Sequence, residues 1–188
     1  MCRPSEPIRR RISEGFLPES EIFSEAELRS DYEKLRVGAE LSKEAASTFD
    51  IDKLLEIIKD KAFQLFRADR AAILLCDEDG TMHTRVAVNR NGTPIRHFKI
   101  SERLLDVVIE EKSAVLSADA LQDARFASSN SIVVDNVRST MCVPLMYSDE
   151  ILGVINLDTQ FVTGAFVEKD LEILTGFARQ AALAIQQS

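Results

Sequence analysis

The chain has 188 residues, 45% of them hydrophobic, with 23 Lys and Arg against 31 Asp and Glu, a formal net charge of -8 and a pI near 4.9. This supports one core with extensions, or two very small ones, and the acidic balance argues against a general binder of nucleic acid or anionic membranes. No apolar run approaches the roughly 20 residues that span a bilayer, and the N-terminus lacks the apolar stretch of a secretory signal.

Three widely spaced cysteines, Cys2, Cys76 and Cys142, fit neither a disulfide framework nor a zinc site. A reduced, cytoplasmic compartment is the simplest reading. Residues 1–24 carry three of the five prolines and the run Arg9-Arg10-Arg11. That run lies among Glu6, Glu14, Glu19 and Glu21 without interleaved aromatics, so the segment reads as a solvated linker or flexible N-terminal segment.

Residues 25–48 contain no proline and are dominated by helix formers. Leu28, Tyr32, Leu35, Ala39, Ser42 and Ala46 recur at spacings of three and four, and Val37, Leu41 and Ala45 form a second stripe. A helix with two apolar stripes can pack on its own domain with one and on a partner with the other. It is expected to serve as a signalling and dimerisation helix. A domain follows over 49–188. Asp50 or Asp52 caps a helix to about Arg67 with a wide apolar stripe, the kind that covers a sheet. Strands are predicted at Ala71–Cys76, Met82–Val88, Phe98–Ile100 and Ala114–Leu116, and a helix capped by Ser101 over Glu102–Glu111. His83 falls on the polar side of its strand. The Asp-, Ser- and Asn-rich segment 117–138 is long for a connection, with a short helix near Asn130–Asn136.

The stretch Val137–Asp158 is the centre of the domain. Its apolar runs Met141–Tyr147 and Ile151–Leu157 flank Ser148-Asp149-Glu150 and read as a β-hairpin. Met141, Val143, Leu145 and Tyr147 point one way, and Cys142, Pro144 and Met146 the other. In the second run Ile151, Ile155 and Leu157 oppose Leu152 and Val154. A hairpin apolar on both faces requires a sheet covered on both sides. Proline has no N–H for a ladder, so a bulge or gap is expected at Pro144. The last helix, about Glu168 to Gln187, is apolar almost all round and needs more than one neighbour. Val167 is a poor N-cap that Asp170 can partly replace, and Gly176 is tolerable if close packing needs the gap. The expectation is α+β: a central antiparallel sheet of about six strands with helices on both faces, three-layer α/β/α. The first, second and last helices lie on one face, and the Ser101 helix and the long loop on the other.

Several short motifs, in this order and spacing, resemble those of the GAF domain family. They are Ala68-Asp69-Arg70-Ala71, Asp119…Asp123-Ala124-Arg125-Phe126, the run 138–145, the run 152–158, and Gly164-Ala165-Phe166 followed by Glu168-Lys169-Asp170-Leu171. The resemblance implies a PAS-like fold, with the long closing helix favouring GAF over PAS, and a sensor role in signal transduction. Leu28–Arg36 resembles linker helices between FHA and GAF domains in bacterial signalling proteins such as class III adenylate or guanylate cyclases. That implies a fragment of a larger regulator, a covalently linked output domain, and a homodimer through the N- and C-terminal helices.

GAF domains bind small molecules, cyclic nucleotides among them, between the sheet and the loop-helix cover. The resemblance therefore implies ligand-binding roles for Asp119, Arg125, Phe126, Asn130, Ser131 and Arg138. Arg125 and Arg138 suit a phosphate or carboxylate. The competing reading pairs Arg125 with Asp119 or Asp123 and makes Phe126 a core plug. The ligand, if any, is unassigned: the Asn-Lys…Phe…Asp-Glu signature of cyclic-nucleotide-binding relatives and a bilin-anchoring cysteine are both absent.

No catalytic constellation or metal spacing appears around His83 or His97, and there is no phosphate-binding glycine loop. Some GAF proteins are free methionine-(R)-sulfoxide reductases with several loop cysteines, but 117–138 contains none. Cys142 reads as a small buried hydrophobe before a redox sensor. The expectation is a non-enzymatic sensor; the alternative is a ligand-free dimerisation or interaction module.

Overall fold

The two apolar runs around Ser148 and Asp149 form the centre of the sheet in the computed structural model, which describes residues 9–11, 25–45, 50–126 and 129–187. The strands are β1 (Arg9–Arg11), β2 (Arg70–Cys76), β3 (Met82–Asn89), β4 (Ser113–Ser117), β5 (Ser139–Tyr147) and β6 (Glu150–Thr159). The helices are α1 (Glu25–Ala45), α2 (Ile51–Leu65), α3 (Glu102–Glu110), α4 (Asn130–Val134) and α5 (Glu168–Gln187). The strands lie in the order β1-β4-β5-β6-β2-β3, with every neighbouring pair antiparallel.

Five strands, β2 to β6, build the sheet of the domain, and the three-residue β1 extends its β4 edge, from Arg9↔Val115 to Arg11↔Ser113. Within the segment read as a linker, only this strand is described. The strand expected at Phe98–Ile100 does not form. Beyond β3 there is one isolated bridge, Val88↔Pro94. Pro94 has no N–H with which to extend a ladder, and Phe98 and Ile100 pack onto the core from an irregular segment.

The hairpin turns on two residues, Ser148 and Asp149, both in the left-handed region at φ 44° and 75°. Tyr147 and Glu150 pair directly across it. Positive φ at both central positions gives the turn a twist that matches the flanking strands. The register shift falls between Leu145 and Met146, not at Pro144, which stays in register with Val154. Leu145 pairs with Gly153 and Met146 with Ile151, leaving Leu152 as the extra residue. The bulge moves Leu152 onto the helical side of the sheet, opposite to the face expected from strict alternation. Pro144 needs no bulge because the β4–β5 ladder ends at Val115↔Cys142, short of it.

The helices begin and end on local signals. Asp50 accepts hydrogen bonds from the N–H groups of Asp52 and Lys53 at 3.1 and 3.3 Å, capping α2. At the other end of α2 the Arg90 guanidinium donates to the carbonyls of Ala68 (2.7 Å) and Phe63 (3.2 Å) and stacks 5.2 Å from the Phe63 ring. Ser101 Oγ accepts from the N–H of Leu104 at 3.3 Å and caps α3. Val167, which has no acceptor of its own, donates its N–H to Asp170 Oδ2 at 3.0 Å, half of a capping box.

Side chains divide cleanly between the two faces. Met141, Val143, Leu145, Ile155, Leu157, Ala71, Ile73 and Leu75 join α1, α2 and α5 in one buried cluster. Cys142, Val154, Ala72, Leu74 and Val115 join α3, α4 and the 118–137 segment in a second. The expected three layers are therefore present. α1 packs on α2 and α5, with Val37 and Leu41 2% and 0% exposed. Leu28, Tyr32 and Leu35, on its other stripe, are 50%, 64% and 47% exposed. Ala46, the last residue of the expected heptad, lies outside the described residues. A Cβ at Gly176 would meet nothing within 4 Å, so no packing among the described residues requires that gap. No helix among the described residues is long and apolar enough to cross a membrane.

Candidate functional site

The cleft-side face of the sheet changes character along its strands. Toward the hairpin end it is apolar, with Leu74, Val154 and Cys142 beneath α3 and its neighbours. At the other end, antiparallel register places Arg70 of β2 opposite Asp158 of β6, and Asp158 opposite Thr140 of β5. The next row inward is Ala72, Asn156 and Cys142. The hairpin strands β5 and β6 and the sequence-distant β2 thus assemble one buried polar row.

The row is tightly hydrogen-bonded. Arg70 donates from Nε to Asp158 Oδ1 at 2.7 Å and from Nη2 to Oδ2 at 3.0 Å, a bidentate pair between residues 5% and 2% exposed. Asn156 Nδ2 donates to Asp158 Oδ2 at 3.2 Å, and Thr140 Oγ1 contacts Asn156 Oδ1 at 3.1 Å. The remaining edge of the guanidinium, Nη1, donates to Asp135 Oδ2 at 3.0 Å. Asp135 caps the C-terminal end of α4. The Phe98 ring lies over Arg70, 5.4 Å from Cζ.

Burial pushes the Asp158 carboxyl above the ordinary aspartate range, against the pull of Arg70 and Asn156. Burial would also weaken the Arg70 cation, but Asp158 and Asp135 more than offset it and hold its pKa above the usual arginine value. Isolated, either charge would be costly at this depth.

A cleft opens above this row. Its lining includes Arg70, Asp158, Asn156 and Thr140 from the sheet, Phe98 and Lys99 from the irregular segment, and Ser131 and Ile132 from α4. The free space is about 10 Å³, room for a single water. A larger guest has to displace α4 or the Phe98 segment. α4 contributes one buried side chain, Ile132. It is also tied to the end of β6: Gln160 Nε2 donates to the Asp135 carbonyl at 2.6 Å, and Asn136 Nδ2 to the Gln160 carbonyl at 3.1 Å.

The residues expected from the sequence do not converge on this cleft. Of the six, Ser131 lines it. Phe126 is fully buried in the cleft-side core, the plug of the competing reading. Arg125 grips Asp123 through Nε (3.1 Å) and Nη2 (2.8 Å), reaches the Leu116 carbonyl at 3.3 Å, and lies 4.6 Å from the centroid of the Phe126 ring. Ser117 Oγ and the Arg125 N–H also donate to Asp123, at 2.8 and 3.1 Å. Burial alone would raise the Asp123 carboxyl, but these bonds bring it below the ordinary value. Arg138 stands 3.8 Å from Asp119, and Asn130 is exposed. Asp119 Oδ1 and Arg125 Nη1 are buried without a hydrogen-bond partner.

Arg70, Asp158, Asn156, Thr140 and Asp135 escaped the sequence reading. The available signal was alternation: β6 is apolar on both faces until Asn156 and Asp158, the last two positions pointing to the cleft.

Two cysteines lie among the described residues. Cys142 is wholly buried, and burial pushes its thiol far above the usual range. Cys76 is half-buried at the end of β2. Among the described residues no group of three or more His, Cys, Asp and Glu could hold a metal ion.

An antiparallel sheet with α1, α2 and α5 on one face, and a short helix over a polar cleft on the other, is the architecture of PAS and GAF domains. The family model described as GAF domain matches residues 50–187, and the chain belongs to that family. The GAF domain of a phosphoenolpyruvate-protein phosphotransferase from Acinetobacter is similar in structure, with a TM-score of 0.65 and 20% identity over 87% of this chain and 95% of that one. Free methionine-R-sulfoxide reductase from Neisseria meningitidis is similar at a TM-score of 0.68 and 16% identity, over 82% and 89%. At these identities the likeness is one of fold. In sequence the chain is 25% identical over 85 residues to hybrid signal transduction histidine kinase G from Dictyostelium discoideum. That match covers 45% of this chain and spans 2% of the kinase's length.

Proposed function

We propose that this chain is the regulatory segment of a larger cytoplasmic signalling protein, dimeric through α1 and α5, whose GAF domain binds a small molecule and biases an output domain. The observation that carries the reading is the split of α1 into two faces. Val37 and Leu41 seal the domain, while Leu28, Tyr32 and Leu35 repeat at heptad spacing in solvent. A helix of this pattern that also packs on α5 can pass a change in domain packing to whatever it is joined to. The similarity to a histidine kinase supports a signalling context. The likeness of Leu28–Arg36 to FHA–GAF linkers favours a class III nucleotide cyclase as the output. The segment itself acts without catalysis in this reading. A sulfoxide reductase is disfavoured because 117–138 has no cysteine and Cys142 is sealed in the core.

Light scattering of the intact chain and of a Leu28→Glu/Tyr32→Glu/Leu35→Glu variant tests the dimer at tens of micromolar. A dimer that the variant abolishes is expected; a monomeric intact chain refutes it. Native mass spectrometry followed by calorimetry with cyclic nucleotides and a broad metabolite panel tests the sensor role. If nothing binds, the second reading, a ligand-free dimerisation module, replaces it.

A further inference from the structure

The Arg70 guanidinium is held from two directions of unequal strength. Asp158 takes Nε and Nη2 in a bidentate grip from the neighbouring strand, and Asn156 supports it. This part belongs to the sheet and fixes the plane of the guanidinium. Arg70 lines the cleft, and its Nη1 is met by one oxygen of Asp135, at 3.0 Å, next to the lining residues Ser131, Ile132 and Val137. The Asp135 side chain is 29% exposed against 3% for Asp158 and stands on a five-residue helix with one buried side chain.

We propose that Asp135 occupies the place of a ligand's anionic group, so that the cleft recognises a carboxylate or phosphate through Arg70. This rests on the reading of the cleft as a small-molecule site and assigns the charge of its guest. Three observations carry it. The first is charge. Arg70, Asp135 and Asp158 in their ionised forms together bear one net negative charge, and the exposed Lys99 in the cleft lining carries the opposite one. A singly charged anion that sends Asp135 into solvent leaves that balance unchanged, whereas an added cation or an added anion without exchange would not. The second is geometry. An arginine fixed by a bidentate partner presents its remaining N–H groups in a set direction, which suits planar or tetrahedral oxyanions. Ser131 and Lys99 also line the cleft and carry further donors. The third is space. With about 10 Å³ free, entry of an anion requires Asp135, and α4 with it, to give way.

Binding is then an exchange of one anion for another at Arg70. The full 188-residue chain and its Asp135→Ala variant are titrated with inorganic phosphate and, separately, with sodium acetate at constant ionic strength, following the melting temperature and the Nε–H NMR signal of Arg70. Phosphate or acetate is expected to raise the melting temperature of the variant and shift the Arg70 signal, with apparent affinity about tenfold or more above the parent chain. The two salts separate a phosphate from a carboxylate preference. An Arg70 signal that neither anion moves, or equal response in both proteins, overturns the proposal. If Asp135→Ala does not fold, Asp135→Asn, which keeps the shape and removes the charge, is held to the same criteria. Should a panel ligand of neutral or cationic character bind while both anions fail, this inference falls and the sensor reading stands. If no panel member binds either, both fall.

Discussion

Gly153 offers the sharpest test of the sheet's construction. It lies in β6, paired with Leu145 on one side and Leu75 on the other. A Cβ built there would stand 2.1 Å from the Leu74 carbonyl oxygen, 3.1 Å from its carbonyl carbon, and 3.0 Å from Leu75 Cδ2. The leucine side chain can rotate away, but the carbonyl cannot. It belongs to β2, which is laddered to β3 and β6 at once. Relief needs roughly 1 Å of strand separation between β2 and β6, at the cost of their hydrogen bonds. Overpacking of this kind reaches about 3 kcal/mol when the obstacle is backbone. With an unfolding entropy of about 2.1 cal/mol/K per residue over 50–187, that loss lowers the melting temperature by about 10 °C. Thermal and urea unfolding of Gly153→Ala followed by circular dichroism reads it directly. Gly176→Ala is the control: it lies in α5 with open space around its Cβ, and is expected to gain about 1 kcal/mol from helix propensity. A Gly153→Ala domain within 1 kcal/mol of the parent would refute the close approach and the register that creates it.

Asp149→Gly should stabilise the domain by about 1 kcal/mol, because a φ of 75° strains any side chain. The contact it gives up, Asp149 Oδ1 to Lys112 Nζ at 2.9 Å, is an exposed pair of little value; a lowered urea midpoint would count against the turn. Asp123→Asn should cost about 2 kcal/mol at pH 7 by weakening the Arg125 and Ser117 bonds. Since the folded carboxyl lies below its ordinary value, its contribution is complete above the unfolded pKa of about 3.9 and is lost as pH falls through the folded one. The variant's deficit should therefore shrink in acid, and a pH-independent deficit would exclude the carboxylate as its source. Asp158→Ala leaves Arg70 buried with Asp135 alone and should cost about 3–5 kcal/mol by urea unfolding; a near-neutral result would mean that the guanidinium escapes to solvent.

The layers were readable in the sequence because burial on both faces of a strand leaves a plain signature. The run 141–145 has no polar residue, and only a sheet covered twice can accept it. Helix ends were readable where the cap is local, as at Asp50, Ser101 and Asp170. What strict alternation could not reveal was the bulge after Leu145, which alters the face of Leu152 without altering composition. Of the two outcomes expected at Pro144, the gap is present on the β4 side, where the ladder ends at Val115↔Cys142, while the bulge falls after Leu145.

The candidate site was less legible for a related reason. Arg125 and Asp123 are two residues apart, so their pairing could be weighed from sequence as one of two outcomes. Arg70 and Asp158 are 88 residues apart, and only the β2–β6 register makes them neighbours. A charged residue taken singly is read as solvated, and the odds favour that reading until strand pairing shows the opposite. Two polar residues ending an otherwise apolar strand are a better indicator than either alone, because a fully covered strand that turns polar must bring its partners with it.

The site and the helical face meet at the end of β6. Gln160 follows the strand, holds the Asp135 carbonyl with its side chain, and donates its backbone N–H to Asp69 Oδ2 at 2.9 Å, next to Arg70. Six residues further, Phe166 is buried in the helical cluster, and α5 begins at Glu168. A shift of α4 away from Arg70 therefore acts on the same short segment that fixes where α5 starts. That gives the cleft a physical route to the helices through which the dimer is proposed to form, with no need for the sheet itself to deform.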